Sequence, residues 1–311
     1  MEENLDFIID MQKKIYFAYN TISYKIEMRN HMYDFGIIGG DIRQMYITEY
    51  LVKAGYSVFC YGVENISSNA AKNIEEVFRK SEIIIAPVPL SKDGKNVFLK
   101  NSYKRIDNET FAGMIPPGKT VISGAVNAHI RNMIEEKGGK CIDILTDEKI
   151  KYYNSVATAE GTIAEAVMGN GNILYNNKVL VAGYGMCGRI LAEKLKSTGS
   201  YVTICARRKE IRDEAAKSGF EVTDFDELCN KISEFEYIFN TVPAIVFGEN
   251  IIKNIKKEAL FIDIASMPGG VDKTSVKQNE INYRQSLGLP GKYCPAAMAR
   301  FYVEKILQLY G

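Results

Sequence analysis

Six residues, Gly183-Tyr184-Gly185-Met186-Cys187-Gly188, follow the spacing G-x-G-x-x-G, which suits the binding of a pyrophosphate. The first glycine allows a tight turn, the second lets backbone approach the phosphates, and the third permits close packing of helix on sheet. The uncovered N–H groups and positive end of the following helix then face the anion. Gly183, Gly185, Met186, Cys187 and Gly188 are therefore expected to hold a dinucleotide. The next strand ends in Cys205-Ala206-Arg207-Arg208-Lys209, with no acid before Glu210. A carboxylate there would hold a ribose 2′-hydroxyl and repel a 2′-phosphate, whereas a guanidinium pairs with the phosphate. Arg207 and Arg208 thus predict NADP, with NAD as the alternative. Thr241-Val242-Pro243 and Asp263-Ile264-Ala265-Ser266 end two further strands, whose carboxyl edges are where open α/β sheets bind ligands. Thr241, Val242, Pro243 and Ser266 are cofactor neighbours on that ground, a mere turn being the competing reading at Ser266.

A second set of residues lies in the first half. Gly39-Gly40-Asp41-Ile42-Arg43-Gln44 places an arginine in the first turn of a helix, and free helix N–H groups beside an arginine make a carboxylate receptor. Gly40, Asp41 and Arg43 are candidates for it; alternatively Asp41 is a helix cap and Arg43 a solvated charge. Similar turns occur at Ala86-Pro87-Val88-Pro89 and at Ser123-Gly124-Ala125-Val126-Asn127. With Asn154-Ser155 and Thr158-Ala159-Glu160-Gly161, these can converge on one interdomain cleft. The only histidines are His31 and His129, so imidazole acid–base chemistry of the 2-hydroxyacid dehydrogenase kind is not expected.

The elements that must position these residues are legible as apolar runs. Tyr33–Ile38, Ser57–Tyr61, Glu82–Ala86, Thr120–Ile122 and Cys141–Leu145 read as strands, alternating with helices at Ile42–Ala54, Asn69–Lys80 and Ala128–Lys137. A helix over Asn154–Gly169, beginning at Ser155 or Thr158, joins this half to the next. Strands Lys178–Ala182, Tyr201–Cys205, Tyr237–Asn240, Leu260–Ile264 and Asn282–Ser286 follow. Their helices are expected up to Ser197, at Glu210–Ser218, Phe225–Ile232 and Asn250–Ile255, and at the C-terminus over Ala297–Leu309. Such alternation predicts parallel, doubly wound sheets. The expected division is an N-terminal extension at 1–32, helical or frayed, with Met28 or Met32 as alternative starts. After it come a substrate domain at 33–153, a linker helix at 154–171, a Rossmann domain at 172–291 and a C-terminal helix at 292–311.

Composition narrows the partners. The 311 residues carry 39 lysines and arginines against 38 acids, which gives no bulk attraction to nucleic acid or an anionic membrane. No apolar run is long enough to span a bilayer. Six scattered cysteines without a C-x-x-C pair argue for a reducing cytoplasm and no metal site.

Taken in order, GGDIRQ after the first strand, PVPLSKDG after the third, NSVATAEGTIAEA, GYGMCG with ARR, NTVP, DIASMPGG and GLPGK resemble the dipicolinate synthase A-subunit family over roughly residues 33 to 295. The resemblance implies an α/β protein with an N-terminal flavodoxin-like domain and a C-terminal NAD(P)-binding Rossmann domain, similar to formate and glycerate dehydrogenases. It implies oxidation of a dihydrodipicolinate-type intermediate to dipicolinate with NADP, in the cytoplasm of a sporulating mother cell, beside the flavoprotein B-subunit of dipicolinate synthase. On that basis Arg43 and the N–H groups of Gly40, Gly124 and Ser155 would hold a small dicarboxylate, with Ser123, Asn154 and Thr158 nearby and Glu160 available to take a proton. The chain departs from the family pattern after Gly291. Lys292-Tyr293-Cys294-Pro295-Ala296-Ala297-Met298-Ala299 stands where the family usually has A-P-K-T-A-G, which marks a divergent member. Alternatives are another NADP-dependent dehydrogenase of a small carboxylate, or a non-catalytic nucleotide-binding regulatory protein. A homo-oligomer stays open.

Overall fold

The computed structural model describes residues 32–65, 69–100 and 105–310, so the N-terminal extension and His31 lie outside it. Two compact units divide the chain: one runs to Leu145 and takes back Val303–Gly311, and the other is Thr146–Tyr302.

The first unit is built on five parallel strands, β1 (Tyr33–Ile38), β2 (Val58–Tyr61), β3 (Ser81–Ile85), β4 (Thr120–Ser123) and β5 (Lys140–Asp143). Their order, β2-β1-β3-β4-β5, is the flavodoxin-like one. The strand order reverses between β1 and β3, so the loops after these two strands lie side by side at the carboxyl edge. Helices Ile42–Lys53, Ile74–Lys80, Asn108–Met114 and Ala128–Glu135 each start at an Asp or Asn whose side chain accepts a first-turn N–H. Phe78, Phe111, Ile84, Val121 and Ile130 fill one face of the sheet, the two phenylalanine rings meeting edge to face. Near the chain's end, Tyr310 packs on Phe35 and Tyr56 with ring centroids 5.2 and 5.7 Å away.

The second unit has six parallel strands, β6 (Lys178–Ala182), β7 (Tyr201–Cys205), β8 (Glu221–Thr223), β9 (Tyr237–Asn240), β10 (Leu260–Asp263) and β11 (Tyr283–Gln285). The order β11-β10-β9-β6-β7-β8 is that of a Rossmann fold. Val179 and Val181 enter one apolar cluster while Leu180 and Ala182 enter another on the opposite face. A strand buried on both sides must be apolar throughout, which is why β6 reads as an unbroken hydrophobic run.

The joining helix differs from expectation. It spans Glu148–Asn170, starting at Asp147, whose carboxylate accepts the Ile150 N–H at 3.1 Å, and ending at Gly171 with φ of 63°. Ser155 and Thr158 are therefore not caps. Each lies inside the helix and donates its hydroxyl to the carbonyl four residues back, Lys151 and Asn154, at 2.9 and 2.7 Å.

Candidate functional site

The three glycines at the end of β6 have separate surroundings that match separate duties. Gly183 turns the chain at φ of 94°, and a Cβ there would stand 2.3 Å from Thr241 Oγ1. A Cβ on Gly188 would stand 2.3 Å from the Gly183 carbonyl oxygen, so only glycine lets this helix lie so close to the strand. Gly185 is the reverse: a Cβ there would meet nothing within 4 Å. Gly185 opens helix Met186–Ser197 and no side chain caps it, so the first-turn N–H groups face open space suited to phosphate. Met186 is exposed at this helix start. Beside it Cys187 is half-buried, with burial raising its thiol pKa to about 11, far from a reactive thiolate.

A cavity of about 450 Å³ opens here, lined by Gly183, Gly185, Ala206, Arg207, Arg208 and Val242 among others. Arg207 also borders a second hollow of about 420 Å³ with Arg212, Asp224 and Ile245. Among the described residues no ion pair engages the side chains of Arg207 or Arg208. Two other arginines, by contrast, are committed to structure. Arg189 pairs with Glu214, donates to the Tyr184 carbonyl at 3.0 Å and lies over the Tyr184 ring. Arg212 donates to the carbonyls of Ala206 and Arg207, both at 2.8 Å, and so fixes the loop that presents Arg207. An open glycine face, an uncapped helix start and two available guanidiniums fit a dinucleotide with its phosphates.

The neighbouring strand ends are held by a network that the motifs did not reveal. Asp263, fully buried, accepts from Asn240 Nδ2 at 2.8 Å, the N–H groups of Ala265 and Gly270 at 3.0 Å each, and the Tyr283 hydroxyl at 3.3 Å. Asn240 in turn donates to the Val242 carbonyl and accepts the Val242 N–H. Thr241 turns its hydroxyl onto the Ala182 carbonyl at 2.9 Å and so packs under Gly183. Val242 lines the cavity, while Pro243 and Ser266 sit exposed on the flanking turns.

In the first unit the expected carboxylate receptor is largely spoken for, which corrects the sequence reading. Arg43 is buried and donates through Nε and Nη2 to Asp41, both at 2.8 Å, and also to the Val88 carbonyl. Burial opposes the charge on Asp41, but Arg43 outweighs it and holds the carboxyl below its ordinary range. The Gly40 N–H is taken by the Phe98 carbonyl at 2.8 Å, and the buried Ser123 hydroxyl by the Pro87 carbonyl at 2.6 Å. Gly124 packs against Val88 and Leu145. In the second unit the Ser155 N–H belongs to helix backbone, Asn154 lies inside the same helix, and Glu160 pairs with Lys194 at 2.8 Å twelve residues beyond the helix start. His129 opens helix Ala128–Glu135 and lies 3.4 Å from Glu109. Lys92, which stands within PVPLSKDG but was given no site role from the sequence, has its ammonium near Asp41 and Arg43.

Lys292 and Tyr293, the first residues of the departure after Gly291, converge on Glu165. This nearly buried carboxylate accepts from Lys292 Nζ at 2.7 Å, the Tyr293 hydroxyl at 3.3 Å and Ser286 Oγ. Burial works against its charge, but Lys292 and Ser286 prevail and its pKa lies below the usual carboxylate value.

Residues 34–145 match the family model of the dipicolinate synthase A-subunit N-terminal domain, and residues 173–266 that of the acetohydroxy acid isomeroreductase NADPH-binding domain. The dipicolinate synthase A-subunit of Bacillus subtilis is 25% identical over 279 residues, 88% of this chain and 94% of that protein. The crystal structure of the dipicolinate synthase A-subunit from Bacillus halodurans aligns with a TM-score of 0.77 at 24% identity, covering 90% of this chain and 98% of the other. A putative D-3-phosphoglycerate dehydrogenase from Ralstonia solanacearum aligns at 0.58 and 11% identity, over 89% and 94% of the two chains. The resemblance carried by the ordered motifs therefore holds: this chain is similar to the dipicolinate synthase A-subunit over most of its length and dehydrogenase-like in fold.

Proposed function

We propose that this protein is an NADP-dependent oxidoreductase that oxidises dihydrodipicolinate to dipicolinate as the A-subunit of a dipicolinate synthase. One observation carries the reading: an open dinucleotide cradle with free guanidiniums stands in a chain whose first unit matches the N-terminal domain of that family. Bound NADP would accept the hydride. Gly185 and the start of helix Met186–Ser197 would hold its pyrophosphate, and Arg207 and Arg208 its 2′-phosphate. Losing one hydride and one proton turns a dihydropyridine into an aromatic pyridine, which lowers the demand for a strong base. The lack of any histidine in the second unit agrees with that chemistry. The protein's task is then to position a small dicarboxylate.

The same reading supplies the flavoprotein B-subunit as partner and the sporulating mother cell as setting. The test mixes the purified chain, with and without that flavoprotein, with the product of dihydrodipicolinate synthase and NADP. Dipicolinate absorbance is expected, and its absence under both conditions would remove the reading. A second reading, a nucleotide-binding protein that does not itself catalyse, is favoured by the internal pairing of Arg43, Ser123 and Glu160. Dipicolinate made by the flavoprotein alone would support it.

A further inference from the structure

The reversal of strand order between β1 and β3 places two loops side by side, and such switch points are where open α/β sheets take ligands. Here the loops are joined across the gap: Arg43, after β1, donates to the Val88 carbonyl, after β3. Four residues past Val88, the Lys92 ammonium rests 3.7 Å above the Phe98 ring and within electrostatic reach of Asp41 and Arg43. No ion pair or hydrogen bond engages that ammonium among the described residues. Asp41 is neutralised by Arg43, so the three side chains leave one net positive charge at the switch point.

We propose that Lys92 is the cation that binds a carboxylate of the substrate, with the Asp41–Arg43 pair as the buried prop that sets the loop carrying it. This rests on the reading that the substrate is a small carboxylate. Phe98 limits the sweep of the flexible lysine stem, which reduces the entropy lost when an anion is bound. Arg43, expected from the motif to meet the carboxylate itself, instead braces the residue that does.

The experiment titrates the full chain, saturated with NADP, with dipicolinate, picolinate and malonate by calorimetry, using wild type, Lys92→Met and Lys92→Arg. Wild type is expected to bind dipicolinate, and Lys92→Met to bind it at least about tenfold more weakly, the worth of one charge-assisted hydrogen bond. Lys92→Arg should stay within a few fold of wild type. Lys92 is exposed, so both variants should fold, and an unchanged melting temperature with NADP affinity within about twofold verifies that. If dipicolinate fails to bind but another of the carboxylates binds and needs Lys92, the site stands and the dipicolinate reading falls. Undiminished binding by Lys92→Met, binding of no carboxylate by wild type, or an equal loss of NADP affinity would each overturn the proposal.

Discussion

A methyl group added at Gly185 and one added at Gly188 meet opposite surroundings, and this separates a cofactor role from a packing role. Gly185→Ala places its methyl in open space at φ of −76°, so stability should fall by no more than about 1 kcal/mol, from the poorer capping of alanine. Its NADP affinity should fall at least about tenfold, since the methyl occupies the approach to the pyrophosphate. Gly188→Ala forces a methyl onto the Gly183 carbonyl and should lower stability by roughly 1–3 kcal/mol even without cofactor. Thermal melts and dinucleotide titrations check both, and wild-type NADP affinity in Gly185→Ala would sink the phosphate assignment. Arg207→Ala should weaken NADP more than NAD by about tenfold or more, because only NADP carries the phosphate that a guanidinium pairs with. Equal weakening would mean that Arg207 only packs. These residues were legible because a glycine's duties are local: the turn, the approach and the close contact all fall within six positions. Asp41 was legible as the helix cap that it is, but its pairing with Arg43 was not, since the sequence reading left Arg43 as a receptor or a solvated charge. Lys92 stood within the PVPLSKDG motif but was given no role, because its surroundings come from a strand reversal that brings it to a turn far away in sequence.

At the scale of elements, the ends of β9 and β10 are joined by the buried Asp263–Asn240 pair. Asp263→Asn replaces one acceptor oxygen with a donor and leaves a buried N–H unpaired, at a cost of about 2–4 kcal/mol. Denaturant unfolding should show it, and an unchanged midpoint would mean that the loops reorganise freely. The contact of helix Glu148–Asn170 with the segment around Lys292 carries a pH signature. Glu165 has its pKa lowered on folding, so its stabilising contribution is present above the unfolded value of about 4.3 and is lost as pH falls through the folded one. Glu165→Gln should be less stable than wild type at pH 7 by about 1 kcal/mol, a modest figure because Lys292 is 59% exposed and screened by water. The gap should hold to about pH 5 and narrow below pH 4; a gap independent of pH would assign Glu165 a purely steric role. Strands such as β6 were legible from their apolar runs, whereas β8, only Glu221–Thr223, is too short and too charged to announce itself. The true start of the joining helix was hidden because Ser155 and Thr158 are good caps by type, while Asp147, the cap in use, sits directly after a strand and a 3₁₀ turn.

For the whole molecule, two units with separate cores imply separate responses to ligand. NADP at a hundred times its dissociation constant should stabilise the second unit by about 2.7 kcal/mol. Hydrogen exchange should therefore slow in β6–β11 and leave β1–β5 nearly unchanged, and uniform slowing would show that the units open together. The parallel sheets were foreseeable from alternation and their two architectures from the resemblance, but the return of Val303–Gly311 to the first unit was not, since nothing local in a C-terminal helix tells which core it joins. That return bears on biosynthesis. Phe35 and Tyr56 leave the ribosome early, yet Tyr310, which packs against both, follows only after Thr146–Tyr302 have been made. At roughly 5–20 residues per second that interval lasts roughly eight to thirty seconds, during which the first sheet carries an uncovered aromatic face. The first unit is thus expected to complete its packing last, and the second unit, contiguous in sequence, can finish folding first.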